Sequence, residues 1–332
     1  MKRLTVAIPN YNGGKNLERA ILSCKHIRLS PNDFEILVAD NKSTDNSISI
    51  VNELKMQFSN IEFYSNDTNL GRIRNWNICI DKAHGKYITF LSTNDIINKN
   101  NNIHQILEFL DSDESLSLSI SALIKNENGH ERIKKNYFKK PIKCLSEKLA
   151  KTSFVRGIFP FGFIEASIYR LDDIKKTKNY FHEDFPFNAD EIFSYLQLIN
   201  RKYVLFNEYP QITWILSKDR FYSKTKIEDE LIEYYKTIEI LKKELSFEVD
   251  YGLVASYRLV NLLKYLIRHS NKDENRKRLF SFIFSEMRKK HSFFKIDGIF
   301  IKTLFAKLVN PREDTEDLLF KNILKNCVIS DV

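Results

Sequence analysis

The sequence predicts an α/β fold, a sheet flanked by helices, followed by a helical C-terminal extension. Three observations carry this. The first hundred residues alternate short apolar runs with segments of helical period, the signature of βαβ units. From about Lys226 onward the pattern is helical, with long polar faces. At 332 residues, with 43% hydrophobic and 13% aromatic content, the chain can bury a sizeable core, so disordered and collagen-like classes are excluded. The expected division is a domain over 1–225 and a basic helical region over 226–332.

Each element follows from its local pattern. Leu4 to Ile8 is a run suited to a buried parallel strand, Pro9 to Gly14 a loop, and Leu17 to Cys24 a helix. Phe34 to Ala39 repeats the strand pattern. The polar loop Asp40 to Asp45 then leads to a helix through Ile48, Val51, Leu54 and Phe58, with Ser43 or Thr44 as its N-cap. Ile61 to Ser65 is a short third strand. Ile73, Trp76, Ile80 and Ala83 share a helix face, and Gly85 is placed to end that helix in the left-handed conformation. Tyr87 to Leu91 is the fourth strand. Beyond it come a helix over Ile103 to Leu110, a strand over Leu116 to Ile124, and an irregular basic stretch over 126–148. A strand over Phe163 to Tyr169, a helix over Asp190 to Asn200, and closing strands over Tyr203 to Phe206 and Ile212 to Ile215 complete the domain.

Charge is unevenly distributed. The chain carries 52 Lys plus Arg against 43 Asp plus Glu, a net +9. Between Lys264 and Lys307 there are 12 basic residues and 4 acidic ones, so the C-terminal region holds nearly the whole surplus and suits an anionic partner. Cys24, Cys79, Cys144 and Cys327 form no Cys-x-x-Cys pair, which points to reduced thiols rather than a zinc site or a disulfide framework. The histidines show no metal-ligand spacing. With no signal-peptide pattern and no window of about 20 apolar residues, the expectation is a cytosolic chain without a spanning helix.

In open parallel α/β sheets, ligands bind where loops and helix N-termini converge at the carboxyl ends of the strands. Three polar loops follow strands in this way: Asn10 to Gly14, Asp40 to Asp45, and Ser92 to Asp95. Asp40 suits hydrogen bonding to a base or ribose, and Asp95 suits holding a divalent cation against phosphates. The Gly-x-Gly-x-x-Gly, Gly-x-x-x-x-Gly-Lys-Ser/Thr and Gly-x-Ser-x-Gly motifs are absent. Their absence counts against dinucleotide enzymes, P-loop nucleotidases and α/β-hydrolases.

The ordered series of motifs is more informative than any one of them. Val6-Ala7-Ile8-Pro9-Asn10-Tyr11-Asn12, then Val38-Ala39-Asp40-Asn41-Lys42-Ser43-Thr44-Asp45, then Asn69-Leu70-Gly71-Arg72-Ile73-Arg74-Asn75-Trp76-Asn77, then Gly85 to Leu91 with its acidic loop, resembles family 2 glycosyltransferases of the GT-A fold. The agreement is strong over about residues 3–97 and weaker to about 223. The resemblance implies an inverting hexosyl- or N-acetylhexosaminyltransferase with a nucleotide-diphosphate sugar, UDP favoured, at the strand ends. Its acceptor would be a hydroxyl on a glycan or a lipid-linked glycan in cell-surface polysaccharide or lipopolysaccharide synthesis.

Residue by residue, the resemblance places Pro9, Tyr11 and Asn12 around the base and Asp40 on it, with Arg72 and Asn75 near the donor. Where the family carries two acidic residues this chain has Asn94 and Asp95, so Mn²⁺ or Mg²⁺ is expected on Asp95 and the Asn94 carbonyl, weakly held. The catalytic base corresponds to Asp190 in Ala189-Asp190-Glu191, with Glu191 the next choice. The family's His-containing loop is replaced by Ile215 to Ser223, in which Lys218 or Arg220 would supply positive charge to the diphosphate.

Residues 226–332 lie outside the resemblance. Phenylalanines interleaved with Lys and Arg suit an anionic membrane surface, which would hold the enzyme against the inner face of the cytoplasmic membrane. Packing on the catalytic domain or on a second copy of the chain explains the same pattern. Nucleic acid is disfavoured, since no zinc finger, RRM-like motif or helix-turn-helix accompanies the charge. Two other functions fit parts of the sequence: a non-catalytic nucleotide-sugar-binding scaffold, prompted by Asn94 and the missing His, and a nucleotidyltransferase.

Overall fold

The computed structural model describes residues 2–134, 140–157, 164–216 and 227–245 continuously, and beyond them only 248–250, 253, 254, 257, 281, 285, 323 and 326–331. The chain begins β1 (Lys2–Asn10), α1 (Gly14–Ser23), β2 (Phe34–Asp40), α2 (Ser47–Lys55), β3 (Ile61–Ser65), α3 (Arg72–Lys82) and β4 (Gly85–Phe90). It continues with β5 (Ile96–Ile97), α4 (Ile103–Ser112), β6 (Leu116–Glu127), β7 (His130–Lys134), β8 (Ile142–Leu145) and α5 (Ser146–Arg156). After a single 3-10 turn at Ile164–Ala166 come β9 (Ser167–Arg170), α6 (Leu171–Thr177), α7 (Ala189–Leu198), β10 (Tyr203–Ile215), α8 (Ile227–Leu245) and β11 (Val328–Asp331).

The strands form one mixed sheet in the order β11-β8-β10-β6-β9-β4-β1-β2-β3, with β5 against β10 and β7 against β6. β3, β2, β1 and β4 run parallel, while β9 is antiparallel to both β4 and β6. Parallel strands buried on both faces need apolar side chains in succession, and β2 is buried at all seven positions. Leu4, Val6 and Ile8 of β1 pack with α1, α2 and α4 on one face of the sheet. On the other face Trp76, Phe90, Tyr169, Phe181 and Phe193 form an aromatic cluster, with Phe181 stacked on Phe193 at 3.9 Å.

Several local expectations are revised. Gly85 does not end α3 in the left-handed conformation; it opens β4, where an added Cβ would lie 2.5 Å from the Thr5 nitrogen and 2.7 Å from the Leu4 carbonyl carbon. Its role is therefore close backbone approach of β4 to β1. Neither Ser43 nor Thr44 caps α2: the N-cap is Asn46, because Ser43 is bonded to Asp40 instead. Ile48 is exposed and Ile50 takes its place in the core. The basic stretch over 126–148 contains β8 and the β6–β7 hairpin, which turns at Asn128 and Gly129, both at positive φ. The two closing strands are one strand, β10, with a register break between Asn207 and Ile212. In the expected strand over Phe163 to Tyr169, Phe163 lies outside the described residues and Ile164–Ala166 is the 3-10 turn, so the strand starts at Ser167.

The chain divides into two compact units. One comprises residues 1–146, 161–223 and 328–332, and contains the sheet. The other comprises 147–160 and 224–327. Within it Lys148 donates to the Asn326 carbonyl at 2.6 Å, and Arg156 donates to the Tyr257 hydroxyl at 2.8 Å.

Candidate active site

The register of β1 on β2 sets Asn10 beside Asp40 at the carboxyl ends of both strands. Asp40 is wholly buried, and its carboxylate accepts hydrogen bonds from Asn10 Nδ2 at 2.7 Å, the Ser43 amide at 2.9 Å and Ser43 Oγ at 2.5 Å. Ser43 Oγ in turn accepts from the Asn12 amide at 2.9 Å, and Asn12 Oδ1 accepts from the Thr44 amide at 2.8 Å. The two loops are thus knitted into one rim through Asp40. Tyr11 is 53% exposed on that rim, whereas Asp40 is inside it. Gly13 leaves room for Asn10, whose Oδ1 would lie 2.3 Å from an added Cβ.

A chain of asparagines organises the next loop. Asn41 donates to Asn69 Oδ1 at 2.8 Å and accepts from Asn66 at 3.0 Å and the Leu70 amide at 2.8 Å. Asn75, buried, accepts from Asn66 and donates to the Ala39 carbonyl at 2.8 Å, which ties α3 to β2. Gly71 at φ 84° brings the chain into α3. Arg72, the first residue of α3, lays its guanidinium over Trp76 at 4.6 Å and donates to the Pro186 carbonyl, just before α7.

The loop after β4 presents its two candidate metal ligands to different elements. Asn94 Oδ1 accepts from Asn16 at 3.0 Å and its carbonyl from Arg19 at 2.8 Å, both on α1. Asp95 is buried and accepts from the Ile215 amide at 3.0 Å, at the end of β10. Among the described residues no group of three His, Cys, Asp or Glu is placed to hold a metal. A hard cation can be bound through one or two carboxylates plus substrate phosphates; Asp95 is the carboxylate this loop supplies, and Asn94 Oδ1 is already engaged by Asn16. Lys218 and Arg220 lie outside the described residues.

Asp190 and Glu191 occupy the first turn of α7, where the helix dipole favours negative charge. Asp190 Oδ1 accepts from the Glu191 amide at 2.9 Å. Desolvation by the surrounding protein nonetheless pushes the Asp190 carboxyl up to about 6, with Arg72 the leading opposing influence and Glu165 and Glu191 adding to the rise. A carboxylate poised there accepts protons near neutrality. Glu165, absent from the sequence-based site, also belongs to this cluster: it accepts from Ser92 Oγ at 2.5 Å, and desolvation raises its proton affinity against the pull of Ser92 and Arg72. The available signal was an acid embedded in the apolar run Phe163 to Ile168.

The site therefore ties Asn10, Asn12, Ser43 and Asp40 into one network beside the exposed Tyr11, and the Arg72 charge acts on Asp190. A model of glycosyl transferase family 2 matches residues 5–176. The chain belongs to that family. It is 24% identical over 281 residues to the poly(ribitol-phosphate) beta-N-acetylglucosaminyltransferase TarS of Staphylococcus aureus, a match covering 81% of this chain and 44% of TarS. The chain thus spans less than half the length of that relative. It is 25% identical over 269 residues to the glycosyltransferase GlyG of Streptococcus pneumoniae, covering 79% of this chain and 86% of GlyG. The solved structure of S. aureus TarS 1–349 in complex with UDP-GlcNAc superposes with a TM-score of 0.66 at 16% identity, covering 98% of this chain and 91% of that one. That likeness shows the GT-A fold. A mannosyltransferase from Pyrobaculum calidifontis, solved with GDP-Man and Mn²⁺, has a TM-score of 0.50 at 12% identity and covers 94% of this chain and 88% of that one.

Proposed function

We propose that the chain is an inverting glycosyltransferase that moves a sugar from a nucleotide-diphosphate donor, a UDP-sugar favoured, to a hydroxyl of a bacterial surface glycan. The observation that carries this reading is Asp190 in the first turn of α7, a carboxyl that desolvation pushes up to about 6 and on which the charge of Arg72, the first residue of α3, acts. The complex of TarS with UDP-GlcNAc supports the choice of nucleotide.

In this reading Pro9, Tyr11 and Asn12 line the base pocket, and Asp40, enclosed in its own hydrogen bonds, fixes Ser43 and through it Asn12. Arg72 and Asp95 lie toward the diphosphate, Asn75 braces α3, and Lys218 and Arg220 remain candidates for further positive charge. Asp95 would hold the divalent cation, which when bound neutralises the departing diphosphate. Asn94 supports that loop through α1. Asp190 takes the proton from the acceptor hydroxyl as its oxygen attacks the anomeric carbon; the new C–O bond forms as the bond from that carbon to the diphosphate oxygen breaks, and the nucleotide diphosphate leaves. Glu191 in the same turn adds to the negative field.

The basic C-terminal region is read as a contact with an anionic membrane surface bearing a lipid-linked acceptor. Co-sedimentation with phosphatidylglycerol vesicles tests this, and a dimer in analytical ultracentrifugation without vesicle binding favours self-association instead. Among the described residues no helix is long and apolar enough to cross a membrane.

The functional test is release of nucleotide diphosphate from a panel of UDP-, GDP- and dTDP-sugars by wild type and Asp190→Asn. Turnover of one donor that is lost in the variant supports the reading. Nucleotide binding without turnover favours the scaffold reading, which the engagement of Asn94 by Asn16 recommends. Pyrophosphate release instead of the diphosphate points to a nucleotidyltransferase.

A further inference from the structure

We infer that Asn77 is a positioning residue of the transfer reaction: it fixes the segment leading into α7, and so the proposed base Asp190, on the helix whose first turn carries Arg72 and Asn75. The inference rests on the functional reading above.

Asn77 is buried in the middle of α3, and its side chain pairs with the backbone of Phe181 as a neighbouring strand would. Its Nδ2 donates to the Phe181 carbonyl at 2.9 Å, and its Oδ1 accepts from the Phe181 amide at 2.9 Å. Phe181 is itself buried, so one side-chain amide satisfies both backbone polar groups of a residue shut off from water. Two further bonds hold the same stretch. The Tyr180 hydroxyl donates to Asp81, on the next turn of α3, at 2.8 Å, and Gln197 of α7 donates to the Asn179 carbonyl at 2.6 Å.

Phe181 passes this placement on to α7. Its ring stacks on Phe193 at 3.9 Å between centroids and meets Trp76 edge-on at 4.9 Å. Phe193 lies one turn beyond Asp190 on the same helix. At the other end of the segment the Pro186 carbonyl, shortly before α7, accepts from Arg72. The lead-in is therefore clamped to α3 at two points, Phe181 and Pro186, and the donor-side groups of α3 share one frame with the base on α7. Without the Asn77 amide the Phe181 N–H and C=O are buried and unpaired, a cost that a shift of the segment relieves. That shift reaches Asp190 through the Phe181–Phe193 stack, while the strand-end loops keep bonds of their own.

The test compares wild type, Asn77→Leu and Tyr180→Phe, using whichever member of the UDP-, GDP- and dTDP-sugar panel wild type turns over. It measures affinity for that nucleotide diphosphate and the single-turnover rate of its release at saturating donor, with thermal melting to confirm the fold. Leu matches the amide in size but cannot pair with Phe181, so the rate should fall by about tenfold or more, since misplacement by about 1 Å can cost about a hundredfold. Nucleotide affinity, set by the strand-end loops, should be essentially unchanged. Tyr180→Phe removes only the bond to Asp81 and should lower the rate by less, again without a change in affinity; it gives the answer if Asn77→Leu does not fold. With wild type active, unchanged rates in the folded variants, or rate and affinity lost together, overturn the inference alone. A wild type inactive on every donor overturns the functional reading and this inference with it.

Discussion

Arg72, at the start of α3, is the principal cation acting on Asp190, in the first turn of α7, although 118 positions separate them in sequence. The guanidinium is held from two sides, by Trp76 beneath it and the Pro186 carbonyl ahead of it. Its charge therefore holds the proton affinity of the Asp190 carboxyl below what burial alone would give.

Replacing Arg72 by Met keeps apolar contact with Trp76 and removes the charge. Without that charge the ionised form of Asp190 is less favoured, so its pKa rises beyond about 6. The acid limb of kcat/KM should move up by about one unit, which lowers the rate at pH 6 about fivefold relative to the plateau. A pH–rate profile checks this, with thermal melting to confirm the fold.

The raised Asp190 pKa also has a consequence for stability. Well below the ordinary value of 3.8 the group is protonated in both folded and unfolded chains; as pH rises from there through about 6 the unfolded chain ionises first, and stability is lost relative to acid. Asp190→Asn removes that penalty. The variant should match wild type at about pH 3 and exceed it by about 1–3 kcal/mol at about pH 8, as urea denaturation at the two pH values would measure.

Asp95 should carry the metal dependence of nucleotide binding. Calorimetry of UDP with and without Mn²⁺ should show a metal-dependent gain that Asp95→Ala loses by at least about tenfold. Affinity for nucleotide alone should change less. Equal metal dependence in the variant would remove Asp95 from the site.

Gly85 admits no side chain. An added Cβ meets backbone of β1 and β4 at 2.5–2.7 Å, and backbone cannot rotate away as a side chain can. Gly85→Ala should destabilise the fold by about 3 kcal/mol, read from the urea midpoint.

What was legible in the sequence divides along physical lines. The four parallel strands and the helices between them announce themselves, since buried strands need continuous apolar runs and α3 needs Ile73, Trp76 and Ile80 on one face. Tyr11 follows β1, Arg72 begins α3 and Asp190 lies in the first turn of α7, positions that follow from the order of the elements. Side-chain direction was not legible: whether Ser43 caps a helix or bonds Asp40, and which element Asn94 turns to, depend on neighbours distant in sequence. Glu165 was hidden for the same reason, since antiparallel pairing of β9 with β4 brings it to the site. The assignment of 147–160 to the second unit, and of β11 back to the sheet, likewise rests on long-range contacts that no local pattern encodes.

The most direct test of Asp190 as the transfer base is single-turnover release of nucleotide diphosphate at pH 7.5 by wild type and Asp190→Asn, with nucleotide affinity measured on both. The account predicts a rate loss of at least about a hundredfold with affinity essentially retained. Equal rates in the two proteins would contradict it.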